Sequence, residues 1–175
     1  MNMYAFILML PFFLVRLVLL PVLSREASQR AAEFAPVYGG ERFAYTIYQL
    51  SNVAIFIYPF FMRVEFDFSW QFWVGAVCYL LGLALCTASV IAFAHPDGNG
   101  LNTNGVYHFS RHPMYVSYFF CFIGVAALAK SPMLLALVIM FQISAHWIIL
   151  SEERWCLNRF GEAYEEYMKK VRRYF

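Results

Sequence analysis

Apolar runs long enough to cross a bilayer recur along this chain, and they constrain its fold more than any other feature. A membrane's hydrocarbon core takes about 20 residues of helix, and such runs lie at roughly 3–23, 43–62, 70–94, 114–129 and 133–150. In hydrocarbon every backbone N–H and C=O must be satisfied internally, so runs of this length are read as helices. The predicted fold class is all-α, a polytopic membrane helical bundle of about five transmembrane helices followed by a C-terminal amphipathic helix. Composition agrees: 62% of the 175 residues are hydrophobic, 14% are charged and mean hydropathy is +0.57, outside the range of soluble domains. A single membrane domain is expected over 1–175, with N-terminal spans in 1–95 and a more polar module in 96–175.

The first run has no basic residues ahead of it and no small-residue cleavage site behind it, so it is expected to remain as a membrane helix. Lys130-Ser131-Pro132 leaves almost no loop between the last two runs. A tight antiparallel hairpin is predicted there, with Pro132 opening its second helix. Lys and Arg in short loops set orientation. With the N-terminus outside, the inner side collects Arg25, Arg30, Arg42, Arg111, Arg154, Arg159, Lys169, Lys170, Arg172 and Arg173, against Arg63 and Lys130 outside. The C-terminus and the polar residues near 111 and 153 are therefore expected to face the cytosol.

Phe160, Tyr164, Tyr167, Met168, Val171 and Tyr174 recur at helical spacing, which predicts the amphipathic C-terminal helix. Glu162, Glu165 and Glu166 occupy its first turns and Lys169, Lys170, Arg172 and Arg173 its last, complementing the helix dipole. It lies either in the headgroup layer as an anchor or folded back as a lid. A net charge of +2 with no basic groove excludes nucleic acid as a partner. Cys78, Cys86, Cys121 and Cys156 form no C-x-x-C pair and are read as buried free thiols. Neither a metal-spaced His/Cys/Asp/Glu set, nor G-x-S-x-G, nor H-E-x-x-H occurs, so metal-dependent and serine-hydrolase chemistry lack residues.

Two polar clusters interrupt the apolar pattern. Gly105-Val-Tyr107-His-Phe-Ser-Arg111-His112-Pro113-Met-Tyr115 runs into the fourth helix, and Ser151-Glu152-Glu153-Arg154 follows the fifth. Pro113 suits the first position of a helix, whose free N–H groups together with the Arg111 fork form a corner suited to a carboxylate or phosphate. Gly98, Asn99, Gly100, Asn102, Asn104 and Gly105 make the preceding loop turn-rich and allow a ligand to approach backbone. Adjacent carboxylates at a membrane boundary are costly unless paired. Gln142, His146 and Glu153 share one helix face and carry this polarity into the bilayer. Arg16 stands within the first span, where an ionisable side chain implies function by default.

Taken in order, Gly105-x-Tyr107-x-x-x-Arg111-His112-Pro113-x-Tyr115, an apolar hairpin, Glu152-Glu153 and Phe160-Gly161-x-x-Tyr164-x-x-Tyr167 resemble the isoprenylcysteine carboxyl methyltransferase and phospholipid methyltransferase superfamily of membrane enzymes. The likeness spans about residues 100–175; the first 95 match only in being helical and apolar. It implies S-adenosylmethionine as cofactor, held by residues 96–175 as a cytosol-facing, cofactor-binding module. Asn104, Gly105, Tyr107, Arg111, His112, Pro113, Tyr115, His146, Glu152 and Glu153 are the expected binding residues, and Arg111, His112 and Glu153 the expected catalytic ones. The implied acceptor is a lipid or other apolar small molecule offering a carboxylate, thiol or amine, and no metal is implied. A carboxylate or thiolate needs only orientation, by Arg111 or Arg16, whereas an amine needs a base such as His112, His108 or a Glu. The same module also resembles NADPH-dependent membrane sterol reductases, and a non-enzymatic scaffold with polar helix glue is the third alternative.

Overall fold

The computed structural model describes residues 2–33, 35–98 and 100–174. Its elements run β1 (Asn2–Tyr4), α1 (Ala5–Leu23), α2 (Arg25–Ala32), α3 (Glu41–Ile57), β2 (Arg63–Glu65), α4 (Trp70–Ala94), α5 (Pro113–Leu128), α6 (Pro132–Phe160) and α7 (Glu162–Lys170). The fold is an all-α membrane bundle, with helices at each of the apolar runs. Three of them, α1, α4 and α6, are long and apolar enough to cross a membrane, while α5 is apolar over 16 residues and α3 has 17. Large apolar side chains point outward on these helices, among them Leu17, Leu50, Leu80 and Ile143 at 58–67% exposure. Such a surface suits lipid rather than water.

Three departures from the sequence expectation have physical causes. The strands β1 and β2 pair antiparallel, Met3 opposite Val64; Met62-Arg63-Val64-Glu65-Phe66 alternates apolar and charged residues, a period-two signal beside a span end. Helix α6 continues ten residues past the apolar run, to Phe160, so Glu152 and Glu153 sit within it rather than beyond its end. Helix α7 stops at Lys170, and residues 171–174 form an extended tail.

Local sequence sets the boundaries. Ser24, Ser69 and Ser131 each accept a backbone N–H three residues on, opening α2, α4 and α6, the N-cap arrangement. Gly161, at φ +53°, takes the left-handed turn that separates α6 from α7. Helix α1 is irregular: it starts as a 3-10 turn and is wound as a π-helix over Leu14–Leu19, just before Pro21. Proline removes the N–H that Leu17 would otherwise engage, which frees the wider turn.

The predicted hairpin of α5 and α6 is present, but the closest partner of α5 is α4. A Cβ on Gly82 would lie 2.3 Å from the Cys121 nitrogen, and one on Gly124 2.5 Å from the Tyr79 nitrogen. The two backbones therefore touch, as small residues permit in membranes. Helix α6 in turn lies along α3, with Tyr48 stacked on Phe141 at 4.9 Å and Arg154 paired to Glu41 through two 2.7 Å hydrogen bonds. Between these pairs Phe12, Phe56, Phe122 and Phe141 fill the middle of the bundle.

Candidate functional site

The loop from α4 to α5 is held by its own polar residues. Asn104 donates its side-chain amide to the His95 carbonyl, Asp97 accepts the Thr103 N–H and hydroxyl, and Arg30 of α2 donates to the Phe93 and Gly100 carbonyls at 3.0 and 3.3 Å. Gly105 turns at φ +54°, where a Cβ would stand 3.2 Å from Ala92. Buried Tyr107 accepts the Tyr167 hydroxyl on its carbonyl at 2.6 Å. Helix α7 thus folds back onto the loop, its buried Tyr164 and Tyr167 packed with Leu101, and does not serve as a headgroup anchor through that face.

The loop then delivers Arg111 and His112 to the N-terminus of α5, where they meet α6. Glu153, 4% exposed, lies 2.9 Å from the Arg111 guanidinium and 2.7 and 3.0 Å from two nitrogens of Arg173. His112 is wedged between the two acids, Nε2 3.4 Å from Glu153 and Nδ1 3.5 Å from Glu152. Glu152 accepts the Tyr115 hydroxyl at 2.6 Å. The tail closes the network, since the Arg111 N–H donates to the Arg172 carbonyl at 3.0 Å, the Ser110 hydroxyl to the Arg173 carbonyl at 3.1 Å, and Tyr174 meets His146 Nδ1 at 2.8 Å.

Electrostatics divides these residues into two groups. Burial disfavours the His112 imidazolium, but contacts with Glu152 and then Glu153 outweigh it, so the pKa of His112 rises above its ordinary 6.5. Contact with Glu153 also raises Arg173. Glu153 is saturated by two guanidiniums. Glu152, with 34% of its side chain exposed against 5% for Glu153, keeps an open face. Among the described residues, Arg111 Nε and His112 Nε2 are buried without a hydrogen-bond acceptor of good geometry, a state that proteins seldom leave uncompensated. The knot therefore offers a partly open carboxylate beside the Arg111 Nε–H, which has no acceptor among the described residues.

Of the residues singled out from sequence, Arg111, His112, Tyr115, Glu152 and Glu153 fall in this one network, and Pro113 occupies the first position of α5. Asn104, Gly105 and Tyr107 secure the loop beneath it. His146 joins through Tyr174, whereas the Gln142 carbonyl oxygen is buried without a partner among the described residues. Asn99 lies outside the described residues. Sequence reasoning missed Ser110, Arg173 and Tyr174, because the tail was read as helix. The one available signal was charge matching, the Arg172-Arg173 pair against Glu152-Glu153.

Taken together, these features define a helical membrane protein with a buried ionic site where a loop, two helix ends and the C-terminal tail converge. The chain belongs to the phospholipid methyltransferase family, whose model matches residues 70–163. It is similar to protein-S-isoprenylcysteine O-methyltransferases of Xenopus laevis (31% identity, 73% of this chain and 48% of the relative) and Dictyostelium discoideum (29%, 62% and 54%). The relative in Schizosaccharomyces pombe shares 32% over 56% of this chain and 45% of its own. The chain thus spans about half the length of the curated relatives it matches. No solved structure matches it.

Proposed function

We propose that this chain is an S-adenosylmethionine-dependent methyltransferase that acts at the cytosolic side of a membrane on an apolar acceptor presenting an oxygen nucleophile. The observation that carries the reading is the network of Arg111, His112, Tyr115, Glu152 and Glu153, a costly set of buried charges at a membrane boundary. Family membership and the relatives' names support the reaction class.

The residues fit the cofactor. Its amino-acid end carries an ammonium and a carboxylate; Glu152 has the open carboxylate for the first, and the buried Arg111 Nε lacks an acceptor that the second would supply. When bound, S-adenosylmethionine supplies a methyl carbon made electrophilic by the adjacent sulfonium. Glu152 binds, with its orientation set by the Tyr115 hydroxyl. Glu153, locked between Arg111 and Arg173, positions Arg111. The tail covers the Glu153 side of the network, where exclusion of water strengthens each charge contact.

His112 bears on the acceptor. Both of its ring nitrogens face carboxylates, at 3.4 and 3.5 Å, which leaves neither turned to an incoming amine, so the site favours an acceptor that is already anionic over one requiring a base. A tritiated-methyl transfer assay from labelled S-adenosylmethionine into membrane extract, and into an S-isoprenyl cysteine with a free carboxylate, tests this reading. Labelled ester is expected, together with saturable S-adenosylhomocysteine binding in detergent that Glu152→Gln abolishes. Binding of NADPH without S-adenosylhomocysteine binding would overturn it in favour of a reductase.

A further inference from the structure

A further cation lies beside the knot. Arg16 lies in the π-helical part of α1, about 10 Å of helix rise from the end at Leu23. Its guanidinium turns inward: Nη1 is 3.4 Å from the Met114 sulfur, and the head lies 5.6 Å from the centre of the Tyr118 ring. Among the described residues it forms no ion pair. A thioether and a ring face satisfy little of a five-donor guanidinium, and a charge within a span without an ion-pair partner is costly.

The surroundings are arranged around this head. Helix α3 carries Tyr45, Gln49, Asn52 and Phe56 on one face, and Phe56 meets Phe13 of α1 at 4.9 Å, so that face is turned to α1. Gln49 donates to the Tyr45 hydroxyl at 2.9 Å. The hydroxyls of Tyr48, Tyr107 and Tyr118 lie within electrostatic reach of Arg16. Further from the knot the seam becomes wholly aromatic, with Phe12, Phe13, Phe56 and Phe122. The seam between α1, α3 and α5 is thus polar and cationic next to the knot and apolar beyond it. Met114 and Tyr115 are neighbours in α5, so the Arg16 contact and the Glu152 contact arise one residue apart.

We propose that Arg16 binds the anionic group of the methyl acceptor. The assignment rests on the methyltransferase reading above and deepens it. Arg111, already occupied by Glu153, is left to the cofactor side, and Arg16 sets the acceptor's charge and depth. The π-helical winding matters here because it changes which face of α1 the following residues present, a frequent device at functional sites.

The test compares binding of an N-acetyl S-isoprenyl cysteine with that of its carboxamide, using the full chain in detergent, alongside S-adenosylhomocysteine binding. The wild type is expected to prefer the carboxylate by about tenfold to a hundredfold, the range of a charge-assisted hydrogen-bonded contact. Arg16→Met, which removes a charge from a span and so favours insertion, is expected to lose that preference while S-adenosylhomocysteine affinity stays unchanged. Arg16→Lys, retaining the charge without the fork, is expected to fall between. A carboxylate preference that survives Arg16→Met, or a wild type that shows none, overturns the assignment. Loss of S-adenosylhomocysteine binding in both variants also overturns it, since Arg16 then supports the cofactor side. Failure of the methyltransferase reading is distinct: the wild type would bind no S-adenosylhomocysteine, whatever its preference between carboxylate and carboxamide.

Discussion

Helix α5 is joined to its two neighbours on opposite physical principles. Toward α4 the joint is backbone on backbone, with Gly82 against Cys121 and Gly124 against Tyr79. Toward α6, at the helix's N-terminal end, it is charge on charge, with His112 between Glu152 and Glu153 and Tyr115 donating to Glu152. In lipid there is no hydrophobic drive to bring helices together, so close van der Waals contact fixes position. Buried charges, by contrast, contribute little net stability and persist where specificity or function requires them. The comparison teaches that the glycine seam places α5 and the ionic knot uses that placement, as a site built on a rigid element requires.

The largest expected effect falls on the seam. Gly82→Leu places a side chain where the Cys121 backbone already stands, 2.3 Å from the position of the new Cβ. Backbone cannot give way as a flexible side chain can, so the variant is expected to lose its monodisperse peak in size-exclusion chromatography. If it stays folded and binds S-adenosylhomocysteine normally, the knot does not depend on the seam and the comparison fails.

Next comes the knot itself. Glu153→Gln leaves Arg111 and Arg173 facing a neutral amide in a site that is 4% exposed. Removing one partner of a buried ion cluster costs about 3–5 kcal/mol, read as a lowered thermal midpoint in detergent. Methyl transfer is expected to vanish with it. Arg173→Ala is expected to be milder, about 1–2 kcal/mol, because Glu153 keeps Arg111 and the Arg173 side chain is already 30% exposed. Its informative readout is protease access to residues 171–174, which rises if the tail is held by Glu153 and is unchanged if α7 alone holds it.

Legibility from sequence divides along the same line. The spans were readable because lipid imposes one simple rule on an apolar run, and Trp70–Ala94 emerged with the expected bounds. The knot was readable because its residues come in a recognisable order. The extension of α6 to Phe160 was hidden, since Ser151-Glu152-Glu153-Arg154 ends the hydropathy signal while remaining compatible with helix. The glycine seam was hidden for a different reason. Gly82 and Gly124 are unremarkable within their own helices, and only their meeting with Cys121 and Tyr79 gives them a purpose. The tail depends wholly on tertiary partners, the Arg111 N–H and Glu153, which no local pattern announces.

The smallest effect concerns pH, and it belongs to the knot alone. The knot contains a titrating group, His112, with its folded-state pKa raised above 6.5 by the acids on either side against the opposing effect of burial. A raised pKa means that the folded state binds the proton more tightly than the unfolded chain. Its contribution to stability is therefore complete below 6.5 and is lost as pH rises through the raised value. The thermal midpoint of the wild type is expected to decline as pH increases above 6.5, and His112→Gln should flatten this part of the profile. An unchanged slope in His112→Gln would show that the imidazole is not held protonated by Glu152 and Glu153, and would restore it as a base for an amine acceptor.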